Sequence, residues 1–196
     1  NHYDERVLFA GCNEPNVENA TQMEVLKAYE QAFVDAVRAT GGNNTIRNLM
    51  VTGYAASSNK ETLKSIRLPQ DSHLIVSVHA YTPYDFALNI EGTGEWDVQK
   101  NARDIDYLFE TIDEVFLQKE IPVIIGEFGA LNKDNEEERS EWVAYYLKKA
   151  KETGVPCVWW DNGSFNGSGE NFGLINRREL TFPYPDLLNA IMETTE

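Results

Sequence analysis

Two glutamates, Glu14 and Glu127, follow short apolar runs at residues 7–12 and 121–126. Such runs are typical of buried strands in a parallel sheet. An ionised carboxylate at the end of such a strand is costly unless it is hydrogen-bonded, paired or placed in a polar cleft. Glu14, which precedes Pro15, is also compatible with an ordinary solvated loop. Two carboxyl groups that face each other across a cleft predict cleavage of a glycosidic bond, because one can donate a proton to the leaving oxygen while the other attacks the anomeric carbon.

The third apolar run ends in His79, and Tyr81 follows two residues later. If the strand continues that far, both side chains point to the same side of the sheet. A tyrosine hydroxyl beside a nucleophilic carboxylate would hold it in position and keep it ionised. His79 has a second interpretation as a core histidine that is hydrogen-bonded to backbone. A metal site is not expected, because His2 and His73 show no ligand spacing with His79.

Tryptophans near strand ends are candidates for sugar binding, since an indole ring offers a broad apolar face. Trp160 ends the fifth apolar run, and its neighbour Trp159 is expected to point the opposite way, into the core. Trp96 lies in the long loop after the third run. A sugar platform and a structural anchor for that loop are both open interpretations of Trp96.

Apolar runs alternate with helical patterns along the chain, which indicates parallel strands covered by helices. Strands are predicted at residues 7–12, 49–52, 74–79, 123–128 and 155–160. Helices are predicted at residues 21–40, 61–66, 103–119, 136–153 and from 185 onwards. Because the carboxyl ends of parallel strands share one face, the polar residues at these ends are expected to converge there.

This alternation fits either a doubly wound sheet or an α/β barrel, although five strand–helix units do not close a barrel. A dinucleotide-binding sheet would need a glycine-rich turn after its first strand. The sequence has Asn13-Glu14-Pro15-Asn16 at that point, and nothing in this turn would cradle a phosphate.

The chain of 196 residues carries 32 acidic and 17 basic side chains, which gives a formal net charge of −15. This acidity disfavours nucleic acid and anionic membrane surfaces as partners. No apolar run is long enough to span a bilayer. The length fits one domain or a large piece of a bigger one, and Asn1 in place of a methionine indicates a chain cut from a longer one.

Four short motifs, taken in their order along the chain, resemble glycoside hydrolase family 5. The cellulase-like branch of that family acts on β-1,4-glucans and related polymers. The motifs are Gly11-Cys12-Asn13-Glu14-Pro15-Asn16, Val78-His79-Ala80-Tyr81, Ile124-Ile125-Gly126-Glu127-Phe128-Gly129 and Val158-Trp159-Trp160-Asp161-Asn162-Gly163. The resemblance runs from the family's fourth barrel strand to its eighth. It implies an α/β fold, a (β/α)8 TIM barrel to which this chain supplies about five β/α units, with residues 1–196 as the carboxyl-terminal part of a single catalytic domain.

The resemblance implies Glu14 as general acid/base and Glu127 as nucleophile, with no metal or organic cofactor. Asn13 would contact the sugar at the cleavage point, and Tyr81 would bond to the nucleophile. The other residues expected to bind substrate are His79, Trp160 and Asn162 from the resemblance and Trp96 from its loop position.

Family members begin with three more strand–helix units, which contribute an arginine near the nucleophile and a histidine near the cleavage point. A missing amino-terminal barrel segment or a companion chain is therefore an expected partner, besides the β-1,4-linked polysaccharide substrate. Three functions remain open: a retaining endo-β-1,4-glucanase, a related β-glycanase acting on xyloglucan, mixed-linkage glucan or mannan, and an inactive half-barrel that needs its missing part. Because the polymer is too large to enter cells, a secreted or extracytoplasmic location is expected.

Overall fold

The computed structural model describes residue 4, residues 6–16 and residues 20–195. Within these residues the strands are β1 (Phe9–Ala10), β2 (Leu49–Ser57), β3 (Leu74–His79), β4 (Val123–Phe128) and β5 (Cys157–Trp159). The helices are α1 (Ala20–Ala39), α2 (Lys60–Ser65), α3 (Tyr84–Ala87), α4 (Val98–Val115), α5 (Glu136–Thr153) and α6 (Pro185–Thr195). Apart from α3, strands and helices alternate in the order that the sequence predicts.

The predicted bounds hold for β3, β4 and α5, while β1 and β5 are shorter than predicted and β2 continues to Ser57. Helix α3 was not predicted, and α4 begins at Val98 rather than Arg103. The early start of α4 has a local cause, because a carboxylate oxygen of Asp97 accepts a hydrogen bond from the backbone N–H of Gln99 at 2.9 Å. This bond satisfies one of the orphan donors at a helix amino terminus.

The chain divides into two compact units, the first made of Asn1–His79 with Ile112–Ile124. In this unit β1, β2 and β3 lie side by side in that order, and both strand pairs are parallel. Helix α1 covers the sheet through Val34, which packs against apolar strand residues. The buried cluster consists of Val34, Leu49, Val51 and Leu74, with Phe9, Phe33, Val37 and Leu68 packed around it.

The second unit comprises Ala80–Thr111 with Ile125–Glu196. Here β4 pairs with β5 in parallel, with Phe128 opposite Trp159. The core of this unit is aromatic, since Phe128 stacks on Tyr146 of α5 at 4.9 Å between ring centroids and lies 6.0 Å from the ring of Trp142. Large rings of this kind bury more apolar area than any other side chains and fix the position of α5 on the strands.

The strand pairs in both units are therefore parallel, as the continuous apolar runs predicted. Among the described residues, no helix has the length and apolar character needed to cross a membrane.

Candidate active site

In the first unit, the carboxylate of Glu14 contacts the imidazole ring of His79. Glu14 lies in the turn after β1, and its Oε1 is 2.6 Å from Nδ1 of His79 at the end of β3. The His79 side chain is only 7% exposed, whereas the Glu14 side chain is 47% exposed. A buried ring therefore orients a carboxyl group that stays accessible to a ligand. The interpretation of His79 as a core histidine bonded to backbone did not include this contact.

The turn that carries Glu14 is anchored to β2 on both sides. Before the turn, Gly11 donates its N–H to the carbonyl of Met50 at 3.1 Å. After the turn, the carbonyl of Pro15 accepts the N–H of Ala55 at 2.8 Å. Asn13 is exposed in the same turn, next to Glu14. The loop is thus short and fixed at both ends, which limits how far the Glu14 carboxylate can move.

In the second unit, Tyr81 and Glu127 form a hydrogen-bonded pair. The Tyr81 hydroxyl donates to Oε2 of Glu127 at 2.9 Å. The backbone follows the same pairing, since Ala80 donates its N–H to the carbonyl of Glu127 at 2.9 Å. The bond between Tyr81 and Glu127 is the one that the family resemblance implied.

Two buried rings of α5 hold the backbone on either side of Tyr81. The Tyr146 hydroxyl donates to the carbonyl of Ala80 at 3.0 Å, and Nε1 of Trp142 donates to the carbonyl of Thr82 at 3.0 Å. Both rings are fully buried. The Tyr81 ring itself packs against Phe172, with 5.3 Å between centroids. The hydroxyl that meets Glu127 is therefore set by the core and not by a mobile loop.

Trp159, the last residue of β5, and Trp160, which follows it, face opposite ways, as predicted. Trp159 packs against Phe128 at 5.5 Å and Trp142 at 6.4 Å between centroids. Trp160 is 40% exposed, and its backbone N–H donates to the carbonyl of Phe128 at 2.9 Å. One ring thus belongs to the core, while the other is available at the carboxyl end of β5.

The loop after β5 is organised by Asp161. Its carboxylate accepts the N–H groups of Gly163, Leu174 and Ile175 and pairs with Arg177 at 3.0 Å. Burial raises the pKa of Asp161, but the three amide donors and the guanidinium outweigh this effect and bring it below the ordinary value. Asp161 therefore stays ionised and folds the loop back towards the strand that bears Trp160.

Asn162 also bonds within this loop. Its Oδ1 accepts the N–H groups of Ser164 and Phe172, and its Nδ2 donates to the carbonyl of Glu170. Through these bonds Asn162 holds together two parts of the loop, around Ser164 and around Glu170 and Phe172. A direct contact with substrate remains a prediction for this residue.

Trp96 is 7% exposed and packs against Phe86 and Tyr145, at 5.7 Å and 6.3 Å between centroids. A ring covered in this way has little surface to offer a sugar. Of the two interpretations of Trp96, its position favours the anchor that fixes the loop before α4.

Three residues that the site depends on were missed at the sequence level. Phe172 supports Tyr81, Asp161 folds the loop after β5, and Glu30 accepts a backbone hydrogen bond of β2. Asp161 stood inside a quoted motif, so its position gave a usable signal. Phe172 lies in a glycine-rich stretch and Glu30 in a helix, where the sequence gave none.

The chain belongs to glycosyl hydrolase family 5, because the family's cellulase model matches residues 2–166. Endoglucanase B of Ruminococcus albus is 47% identical over 99% of this chain and 49% of its own length. Endoglucanase 1 of the same organism is 48% identical over 99% of this chain and 50% of its own length. The chain thus spans about half the length of these curated relatives.

Solved structures agree with this assignment. A GH5-4 broad specificity endoglucanase from Ruminococcus champanellensis, solved with bound cellotriose, is 46% identical and has a TM-score of 0.93 over 97% of this chain and 58% of its own. A glycoside hydrolase 5 lichenase from Caldicellulosiruptor sp. F32, solved with cellotetraose, is 39% identical and has a TM-score of 0.92 over 99% of this chain and 59% of its own. The predicted fold class is confirmed: the protein has the (β/α)8 fold of this family, and this chain supplies five of its β/α units.

Proposed function

We propose that this chain is the carboxyl-terminal part of the catalytic domain of a retaining endo-β-1,4-glucanase, with Glu127 as nucleophile and Glu14 as general acid/base. The observation that carries the proposal is the hydrogen bond from Tyr81 to Glu127 at 2.9 Å. This hydrogen bond is held in place by the buried aromatic core that fixes the backbone beside Tyr81. A carboxylate held in this way suits attack on an anomeric carbon better than solvation at a strand end would.

In the first step, the Glu127 carboxylate attacks the anomeric carbon and forms a glycosyl ester. The bond to the leaving sugar breaks, and its oxygen takes a proton from Glu14. Tyr81 donates to one carboxylate oxygen of Glu127 and thereby sets the orientation of the attacking group.

In the second step, Glu14, now ionised, removes a proton from a water molecule as that water attacks the glycosyl ester. The product keeps the configuration of the substrate, and Glu127 and Glu14 return to their starting states. His79 lies 2.6 Å from Glu14 and keeps its carboxyl group oriented in both steps. No metal ion or organic cofactor takes part in this scheme.

The proposed substrate is a β-1,4-linked glucan. Trp160, exposed at the end of β5, offers an aromatic floor for a sugar ring, and Asn13 lies beside Glu14 to contact the sugar at the cleavage point. A related β-glycanase is the second candidate. It is favoured by the variety among similar structures, which include a lichenase and a xyloglucan-specific endo-β-1,4-glucanase.

Activity is proposed to need a preceding barrel segment, or a companion chain that replaces it, since the solved relatives extend well beyond the matched part. A secreted or extracytoplasmic location is part of the same proposal, because a polysaccharide substrate is too large to enter the cell. Joining three strand–helix units ahead of residue 1 should raise activity on soluble β-glucan far above that of residues 1–196 alone. Equal activity of the two proteins would contradict this requirement.

The catalytic assignment is tested by the release of reducing ends from soluble β-glucan by the complete catalytic domain. Glu127→Ala should abolish the release, whereas Glu110→Ala should not, because Glu110 is an exposed residue on α4. Glu14→Ala should impair hydrolysis of the polymer more than cleavage of activated aryl glycosides, which need little acid assistance. Full activity of Glu127→Ala would refute the nucleophile assignment.

A further inference from the structure

Helix α1 buries a glutamate against the sheet that carries Glu14. Glu30 is 3% exposed, and it stands on the buried face of α1 between Leu26 and Val34, one turn away on either side. Its carboxyl Oε1 accepts the backbone N–H of Thr52 in β2 at 2.7 Å. Burial raises the pKa of Glu30 to about 7. A buried carboxyl group is costly, so its presence among apolar neighbours needs a reason.

The N–H that Glu30 accepts is one that the strand ladder would otherwise use. Strands β1 and β2 pair in parallel with Ala10 opposite Met50, and Gly11 donates to the carbonyl of Met50. In a regular parallel ladder the next bond would run from the N–H of Thr52 to the carbonyl of Gly11. Glu30 takes the place of that carbonyl as the acceptor for Thr52.

This change of acceptor from the Gly11 carbonyl to Glu30 lies at the point where the pairing of β1 with β2 ends. Beyond Thr52, β2 also shifts its register against β3, and Ala55 and Ala56 adopt positive φ angles of 49° and 47°. Further along β2, the N–H of Ala55 bonds to the carbonyl of Pro15, which connects β2 to the segment after the turn. The turn with Asn13 and Glu14 lies between the bond of Gly11 to Met50 and the bond of Ala55 to Pro15. Between these two bonds, Glu30 accepts the free backbone donor of β2, the N–H of Thr52.

We propose that Glu30 is a positioning residue for Glu14, because its carboxyl group ends the pairing of β1 with β2 and lets the Asn13–Glu14 turn leave the sheet at a fixed point. The inference rests on the proposed role of Glu14 as acid/base. An apolar side chain at residue 30 would leave the Thr52 N–H buried without this acceptor, and recovering a bond to Gly11 would draw the turn towards β2. Glu14 would then be displaced relative to the leaving oxygen.

The test uses Glu30→Met, which keeps the size of the side chain but removes the acceptor, and Glu30→Gln, which keeps an acceptor oxygen without a titratable proton. The readout is kcat/KM of the complete catalytic domain on soluble β-glucan and on an activated dinitrophenyl cellobioside. Glu30→Met should lower kcat/KM on the polymer by roughly 10- to 100-fold, because small misplacements of a catalytic group are costly. It should lower kcat/KM on the aryl substrate by less than about threefold, since that cleavage needs little acid assistance. Glu30→Gln should restore the polymer activity.

An equal loss on both substrates would overturn the inference, because a purely structural role affects every substrate alike. A failure of Glu30→Gln to restore activity would overturn it as well. If Glu30→Met does not fold, Glu30→Asp replaces it, since the shorter side chain withdraws the acceptor, and the same selective loss on polymer is expected. A fully active Glu127→Ala variant would instead defeat the proposed function, which keeps the two failures apart.

Discussion

Replacing Tyr81 by phenylalanine removes one hydroxyl group and leaves the surrounding structure in place. The ring keeps its packing against Phe172, and the neighbouring carbonyls of Ala80 and Thr82 keep their bonds to α5. What is lost is the donor to Glu127 at 2.9 Å. The variant therefore isolates the contribution of this hydrogen bond to the reaction.

The expected loss follows from the charge of the acceptor. A hydrogen bond to a charged group contributes about 1.5–3 kcal/mol. If the bond orients the nucleophile in the transition state, its removal lowers kcat/KM by roughly 10- to 150-fold, because 1.36 kcal/mol corresponds to a factor of ten. The melting temperature should change little by comparison.

The assay is hydrolysis of soluble β-glucan by the complete catalytic domain, with thermal unfolding measured on the same samples. Tyr29→Phe is the matched control, since Tyr29 is 68% exposed on α1 and the change removes the same hydroxyl group from the surface. Both variants should remain folded at the assay temperature, and only Tyr81→Phe should lose activity. Full activity of Tyr81→Phe would refute the reasoning that this bond prepares Glu127 for attack.

Two further predictions concern stability. Burial raises the pKa of Glu30 to about 7 in the folded protein, above the ordinary value of 4.5 that it has in the unfolded chain, so wild-type stability should fall as the pH rises through this window, by about 3 kcal/mol in total. Glu30→Gln should lack this pH dependence. Denaturant unfolding of both proteins at a series of pH values checks the prediction, and parallel curves would contradict it. Asp161→Ala leaves three backbone N–H groups without their acceptor and should lower the free energy of unfolding by about 2–4 kcal/mol. Asp161→Asn should lower it less, because one acceptor oxygen remains. Equal unfolding midpoints for wild type and Asp161→Ala would refute the role of Asp161 in the loop.

The positions of several strands were readable from the sequence, because burial on both faces of a sheet produces continuous apolar runs. A continuous apolar run predicted a buried parallel strand at residues 123–128, and β4 has these bounds. The opposite orientation of Trp159 and Trp160 followed from the alternation of side chains along a strand. The bond from Tyr81 to Glu127 came from the resemblance to the family and not from residue spacing, because β3 ends at His79 and does not reach Tyr81.

The orientation of α1 was less predictable. Val25 and Tyr29 lie in the helix predicted at residues 21–40 and are apolar or aromatic, but both are exposed, at 50% and 68%. The face that packs on the sheet instead carries Leu26, Glu30 and Val34. Apolar residues occur on more than one side of this helix, so periodicity alone does not select the buried side.

The function of Glu30 could not be predicted for a related reason. Charged residues in helices are normally assigned to solvent, because burying them without a partner is costly. Its partner is a backbone N–H of β2 at the point where the pairing of β1 with β2 stops. That break depends on where β1 leaves β2, which no local pattern in either strand reveals.

The central claim is that Glu127 attacks the anomeric carbon, and trapping the covalent intermediate tests it most directly. The complete catalytic domain would be incubated with an activated 2-deoxy-2-fluoro cellobioside, which slows hydrolysis of the glycosyl ester, and then digested and analysed by mass spectrometry. One added fluorocellobiosyl group is expected on the peptide that contains Glu127, and no labelling is expected of Glu127→Ala. A label on any other residue would contradict it.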